Sequence, residues 1–111
     1  MSSDNLLYSQ EAESAVLGAV LMDGFSFPRV TLCDADFFLP RHQWIWQAYK
    51  TLFDAKQSID MITVSDVLKG TGKLKDAGGD AYLTHLLTST NTTYHIETYA
   101  SIVKKCAIRR A

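Results

Sequence analysis

The sequence predicts an all-α fold, a compact bundle of about six helices, on three observations. Apolar residues recur at helical spacing in successive stretches. Gly and Pro are confined to the joints between them. No internal repeat, low-complexity tract or linker-like Pro/Gly/Ser run interrupts the chain.

The first helix is expected from Gln10 to Met22, with Ser9 as N-cap, Glu11 and Glu13 in the first turn, and Asp23-Gly24 as its stop. Its polar strip is only Glu11, Ser14 and Gly18, the pattern of a central helix. Ser14 and Gly18, four apart, would let another helix approach closely. A short helix follows from Phe27 to Leu32, with Ser26 as N-cap and Pro28 in the first turn. Asp34 to Pro40 reads as a connecting turn whose Phe37 and Phe38 plug the end of the core.

Pro40 opens the second long helix, to about Ala55. Ile45, Ala48, Tyr49 and Leu52 form its inner stripe, with Trp44 on one shoulder and Trp46 and Phe53 on the other. The apolar arc covers roughly 200°, wider than one core face needs. Either both Trp are core or one shoulder faces a partner. Thr63 with Asp66 has the form of a capping box for a helix from Val64 to about Lys69, with Val64, Val67 and Leu68 facing inward. Gly70 to Gly79 is expected to be a flexible joint. A further helix, Asp80 to Leu87, carries Ala81, Leu83, Leu86 and Leu87, with Tyr82 at the side. The polar run from Thr88 to Thr93 caps a last helix, about Tyr94 to Arg110. Ile96, Tyr99, Ala100, Val103 and Ala107 form its inner face; Ile102 and Cys106 widen one side and Ile108 projects nearly opposite.

Composition sets the limits. The 111 residues are 47% hydrophobic and 21% charged, an ordinary globular balance that excludes wholesale disorder. A chain of this mass buries about two thirds of its surface, enough for one core without disulfides. The N-terminus has no signal-peptide pattern, and no stretch is apolar enough to cross a bilayer. Cys33 and Cys106 are far apart and outside any CxxC, which fits a reducing, cytoplasmic setting. Net charge is −1, without the basic excess common in proteins that grip phosphates. Lys104, Lys105, Arg109 and Arg110 make only the end of the last helix basic, and that cluster is read first as a solvated end complementing the helix dipole.

No constellation for catalysis emerges. Gly70-Thr-Gly-Lys73 lacks the earlier glycine and the following hydroxyl of a phosphate loop, since those positions hold Val67 and Leu74. His42, His85 and His95 lie on three segments with no metal-binding motif, and His42 reads as a satisfied packing residue. No nucleophile elbow marks a hydrolase. Catalytic residues, cofactors and metals are therefore expected to be none. The default is a helical interaction module.

Five stretches carry a resemblance: EAESAVLGAVLMDG from Glu11, DFFLPRHQWIWQAY from Asp36, SIDMITVSDVLKG from Ser58, KLKDAGGDAYLTHLLT from Lys73 and HIETYASIVK from His95. Each alone is weak, but together, in this order and spacing, they are specific. The sequence resembles the N-terminal domain of DnaB-type replicative DNA helicases over essentially all of the chain from residue 9. Two joints depart from that family: Thr90-Asn-Thr-Thr stands where a Pro is usual, and Pro28 is uncommon. The family's ATPase domain is not in this sequence, which reads as an excised N-terminal domain or a stand-alone relative.

The resemblance implies a domain at residues 9–111 after a flexible tail at 1–8, with the last helix leading into a helical hairpin. It implies no catalysis by this chain itself. It also implies self-association, as a dimer or within a hexamer, and a platform for primase and a helicase loader in the primosome. DNA would be met only indirectly, through the ATPase domain, and no membrane is involved. The candidate interface residues are Trp44, Trp46, Ile102, Cys106 and Ile108. The alternative is an accessory single-stranded DNA-binding domain using Lys104, Lys105, Arg109 and Arg110. A small helical enzyme with an unrecognised site is a third reading.

Overall fold

Helix α1, Gln10–Met22, begins where the Ser9 hydroxyl accepts the Ala12 amide and ends where the Asp23 amide bonds the Ala19 carbonyl. In the computed structural model, which describes residues 7–90, 93 and 95–111, it is the central element. Both α4 (Gly79–Ser89) and α5 (Ile96–Arg110) pack on it, while α2 (Pro40–Asp54) also carries α3 (Met61–Gly70). Among the described residues there is no strand. The molecule measures 39 × 27 × 25 Å.

α1 is buried nearly all round, as its narrow polar strip implies. Gly18 is the point of closest approach. A methyl group there would overlap the Thr90 hydroxyl and the Leu86 carbonyl, so the end of α4 lies directly against the α1 backbone. Glu13 departs from expectation: it is 1% exposed, inside the bundle.

The joint after α1 differs from the expected Phe27–Leu32 helix. It is a 3-10 turn at Gly24–Arg29, capped by Asp23 rather than Ser26. The Asp23 carboxylate accepts the Phe25 amide at 3.1 Å, and the Ser26 hydroxyl donates to the Asp23 carbonyl at 2.6 Å. Three-residue periodicity suits so short a piece, and Phe27 still reaches the core. A second 3-10 turn, Asp34–Asp36, lies within the expected connection. Of its two aromatics only Phe37 is a plug; Phe38 stays 44% exposed.

α2 starts at Pro40, where a missing amide proton is harmless. Trp46 belongs to the core, its ring against Phe27 and Phe37 and its indole N–H donating to the Leu32 carbonyl at 3.2 Å. The helix closes with a Schellman pattern: Gln57 N bonds Leu52 O and Lys56 N bonds Phe53 O, with Lys56 at φ 58°.

α3 starts three residues earlier than expected. The capping box is Asp60 with Thr63, not Thr63 with Asp66, because the Asp60 carboxylate accepts the Thr63 amide and the Thr63 hydroxyl accepts the Asp60 amide. The segment from Gly70 to Gly79 is ordered as a sequence of caps rather than a loose joint. Lys73 N bonds Leu68 O with Gly72 at φ 72°, and Gly79 N bonds Leu74 O with Gly78 at φ 103°. Gly70-Thr-Gly-Lys73 is thus a helix stop. α4 runs two residues further than expected, and Ala81 lies exposed.

α5 buries Ile96, Ala100, Val103 and Cys106. The expected start at Tyr94, part of the polar run before it and residues 1–6 of the expected tail lie outside the described residues. Leu7 and Tyr8 are described: Tyr8 stacks on Phe38 with ring centroids 4.3 Å apart.

Candidate interaction surface

The five residues expected at an interface fall into two groups. Trp46 and Cys106 are buried, 1% and 3% exposed, because their sides of α2 and α5 face the core. They offer no surface to a partner. Trp44 is half-buried, with the Lys73 ammonium 4.8 Å from its ring centroid. Ile102 and Ile108 are exposed, the latter by 66%. At about 100° per residue they lie some 120° apart around α5, on opposite flanks of its buried stripe. The structure does not bring the two together.

Sequence reasoning missed most of the other exposed apolar residues, having placed only Phe53 on a shoulder of α2. Phe25 is 91% exposed and Ile62 is 82% exposed, and Met22 and Phe53 are each nearly half open. Three segments converge there. The Gly24 backbone lies against Ile59, just before α3, and Phe53 at the end of α2 has its ring 5.1 Å from Phe27. The signal lay in the flanks of helix ends, where an apolar residue reads equally as core or surface.

The basic end of α5 is partly engaged within the fold. Lys104 Nζ lies 3.2 Å from the Asp36 carboxylate, and the Arg110 guanidinium donates to the Leu7 and Asp36 carbonyls at 2.8 and 2.7 Å. Two of the four cations invoked for DNA binding therefore hold elements together, which differs from the solvated helix end expected.

The polar chemistry inside the bundle is a chain of three side chains. The His42 ring, fully buried, has Nδ1 2.7 Å from Glu13 Oε1 and Nε2 2.6 Å from the Tyr82 hydroxyl. An ionised carboxylate only accepts, so Nδ1–H donates to Glu13, and Nε2 shares a hydrogen bond with the Tyr82 hydroxyl. Glu13 Oε2 also accepts the Phe38 amide at 2.8 Å. The sequence marked His42 correctly as a satisfied packing residue but did not show its partners, which stand 29 and 40 residues away.

Carboxylate, imidazole and hydroxyl in series have the form of a nucleophilic triad. This one is structural in its contacts. Its carboxylate also caps the backbone before α2, and its hydroxyl belongs to a phenol whose ring stacks with His42 and lies under Arg41. Among the described residues no buried side-chain nitrogen or oxygen lacks a partner. No group of His, Cys, Asp and Glu there could hold a metal, and no helix is long and apolar enough to cross a membrane.

Burial, and secondarily the nearby Tyr82 phenol, pushes the Tyr49 pKa well above its ordinary value. Its hydroxyl donates to the Leu17 carbonyl at 2.8 Å.

The fold and sequence have known counterparts. Residues 5–105 match the family described as "DnaB-like helicase N terminal domain". The replicative DNA helicase DnaB of Rhodothermus marinus is 36% identical over 102 residues, 90% of this chain and 11% of that protein. The replicative DNA helicase DnaC of Bacillus subtilis is 37% identical over 102 residues, 90% of this chain and 22% of that protein. The chain thus spans 11% to 22% of the length of these curated relatives. The crystal structure of the N-terminal domain of Mycobacterium tuberculosis DnaB helicase superposes with a TM-score of 0.89 at 32% identity, covering 93% of this chain and 76% of that one. A DnaB-like replicative helicase, described with its interactions with primase, gives 0.85 at 26% identity, covering 92% of this chain and 24% of that one. With its central α1 and the helices that close around it matched in sequence and in space, the chain belongs to the DnaB-like helicase N-terminal domain family.

Proposed function

We propose that this chain is a non-catalytic oligomerisation and partner-docking domain of a hexameric replicative helicase acting in DNA replication. Residues 9–111 are its folded unit. One observation carries the reading: large apolar side chains remain outside a closed core, at Ile102 and Ile108 on α5, at Phe25 just after α1 and at Ile62 in the first turn of α3. Burial of such groups against another surface is favourable by roughly 25 cal/mol per Å² of apolar area. Aromatic and branched apolar residues are frequent anchors of protein interfaces. Trp44, half-buried, is a further candidate.

The partners are a second copy of the domain, primase and a helicase loader. The primase assignment is supported by the similar helicase described with its primase interactions. DNA is met only through the ATPase domain of the parent helicase. The engagement of Lys104 with Asp36, and of Arg110 with the Leu7 and Asp36 carbonyls, weighs against the DNA-binding alternative.

The test combines sedimentation equilibrium with titration of purified primase. Concentration-dependent association, weakened by Ile102→Ser, Ile108→Ser or Phe25→Ser with the thermal transition retained, is the expected result. A monomer at millimolar concentration that also fails to bind primase overturns the proposal. Nucleotide hydrolysis by the purified chain would overturn its non-catalytic part.

A further inference from the structure

We propose that Arg110 latches the N-terminal segment to α5, making Leu7 and Tyr8 a strap over Phe38 that this guanidinium holds in place. The guanidinium reaches two backbone carbonyls far apart in sequence, Leu7 at 2.8 Å and Asp36 at 2.7 Å. Its carbon lies 5.4 Å from the Phe38 ring centroid, and Tyr8 stacks on the same ring at 4.3 Å with planes 18° apart. Three pieces of chain thus meet at one cation: the residues before α1, the turn before α2, and the last turn of α5.

The two attachments of this corner to α5 are separable. The turn is tied to α5 by Lys104 on the Asp36 carboxylate as well as by Arg110. For Leu7 and Tyr8 the described side-chain ties are the Arg110 bond and the Phe38 stack. Removing Arg110 therefore leaves the strap held by the Phe38 stack alone, while Lys104 keeps the turn anchored. A lysine is a poor substitute, because a single ammonium lacks the planar fork that reaches two acceptors at once. The guanidinium is also open to diversion, since a carboxylate offers it a bidentate ion pair that two separate neutral carbonyls do not. An acidic side chain brought to Arg110 removes that tie and loosens the strap over Phe38, already 44% exposed beneath it.

The experiment is backbone ¹⁵N relaxation and aromatic proton shifts on the whole chain, for the native sequence, Arg110→Ala, Arg110→Lys and Lys104→Ala. In the native chain, Leu7 and Tyr8 should have order parameters near 0.85, falling below about 0.6 in both Arg110 variants. The Phe38 ring protons should lose their upfield ring-current shift in the same variants. Lys104→Ala should leave Leu7 and Tyr8 as they are in the native chain. Mobility of these residues in the native chain, or unchanged order in Arg110→Lys with native dispersion elsewhere, overturns the latch.

Discussion

Glu13 and His42 form a buried pair across α1 and α2, with Oε1 2.7 Å from Nδ1 and both side chains at 1% exposure or less. The same carboxylate receives the Phe38 amide, so one side chain aligns the start of α2 and sets the imidazole that meets Tyr82. Removing one member leaves buried polar groups unpaired. Glu13→Ala is expected to destabilise the fold by about 3 kcal/mol, read as a lower urea midpoint. His42→Leu should behave similarly, and the double variant Glu13→Ala/His42→Leu should lose less than the sum of the singles. Strict additivity would show that the pair is not coupled.

Lys56 holds the left-handed position that ends α2. Glycine adopts this conformation without the clash of a Cβ against the following carbonyl. Lys56→Gly is therefore expected to stabilise the fold by about 1 kcal/mol, whereas Lys56→Val should destabilise it. Thermal unfolding distinguishes the two directions.

Gly18 and Gly70 offer a contrast within one residue type. A Cβ at Gly18 meets the Leu86 carbonyl at 2.5 Å, while at the end of α3 a Cβ on Gly70 meets nothing within 4 Å. Gly18→Ala should force α4 away from α1 and destabilise the protein by about 2 kcal/mol or more. Gly70→Ala should be neutral or stabilising by up to about 1 kcal/mol. Equal effects at both sites, by chemical denaturation, would refute the close approach.

Tyr49 gives the fold an alkaline limit. Burial raises its pKa in the folded chain above the ordinary 10.0, so between the two values the unfolded chain has released a proton that the folded chain keeps. Stability from this group is complete below about pH 10 and declines as pH rises above it. Tyr49→Phe should be less stable by about 1 kcal/mol at pH 7 for want of the Leu17 hydrogen bond. That gap should narrow above pH 10 by up to about 1.4 kcal/mol per pH unit. Urea midpoints at pH 7, 10.5 and 11 check the sign. A gap that widens would refute it.

The sequence by itself determined the helices and their order, because apolar spacing, Ser9, Pro40 and the glycines at the joints act within a few residues of chain. It also determined that α1 is central and that Gly70-Thr-Gly-Lys73 is no phosphate loop. Its misplaced boundaries were contests between local partners: Asp60 and Thr63 both can cap, and Asp23 competes with Ser26. Only the tertiary structure decided which apolar shoulder stays outside. Trp46 turns inward and Phe25 outward because burial depends on which neighbouring element arrives, and the spacing of one helix carries no record of its neighbours. The same holds for Glu13, acceptable at a helix start on any surface, and buried here because His42 and the Phe38 amide come from another part of the chain to meet it.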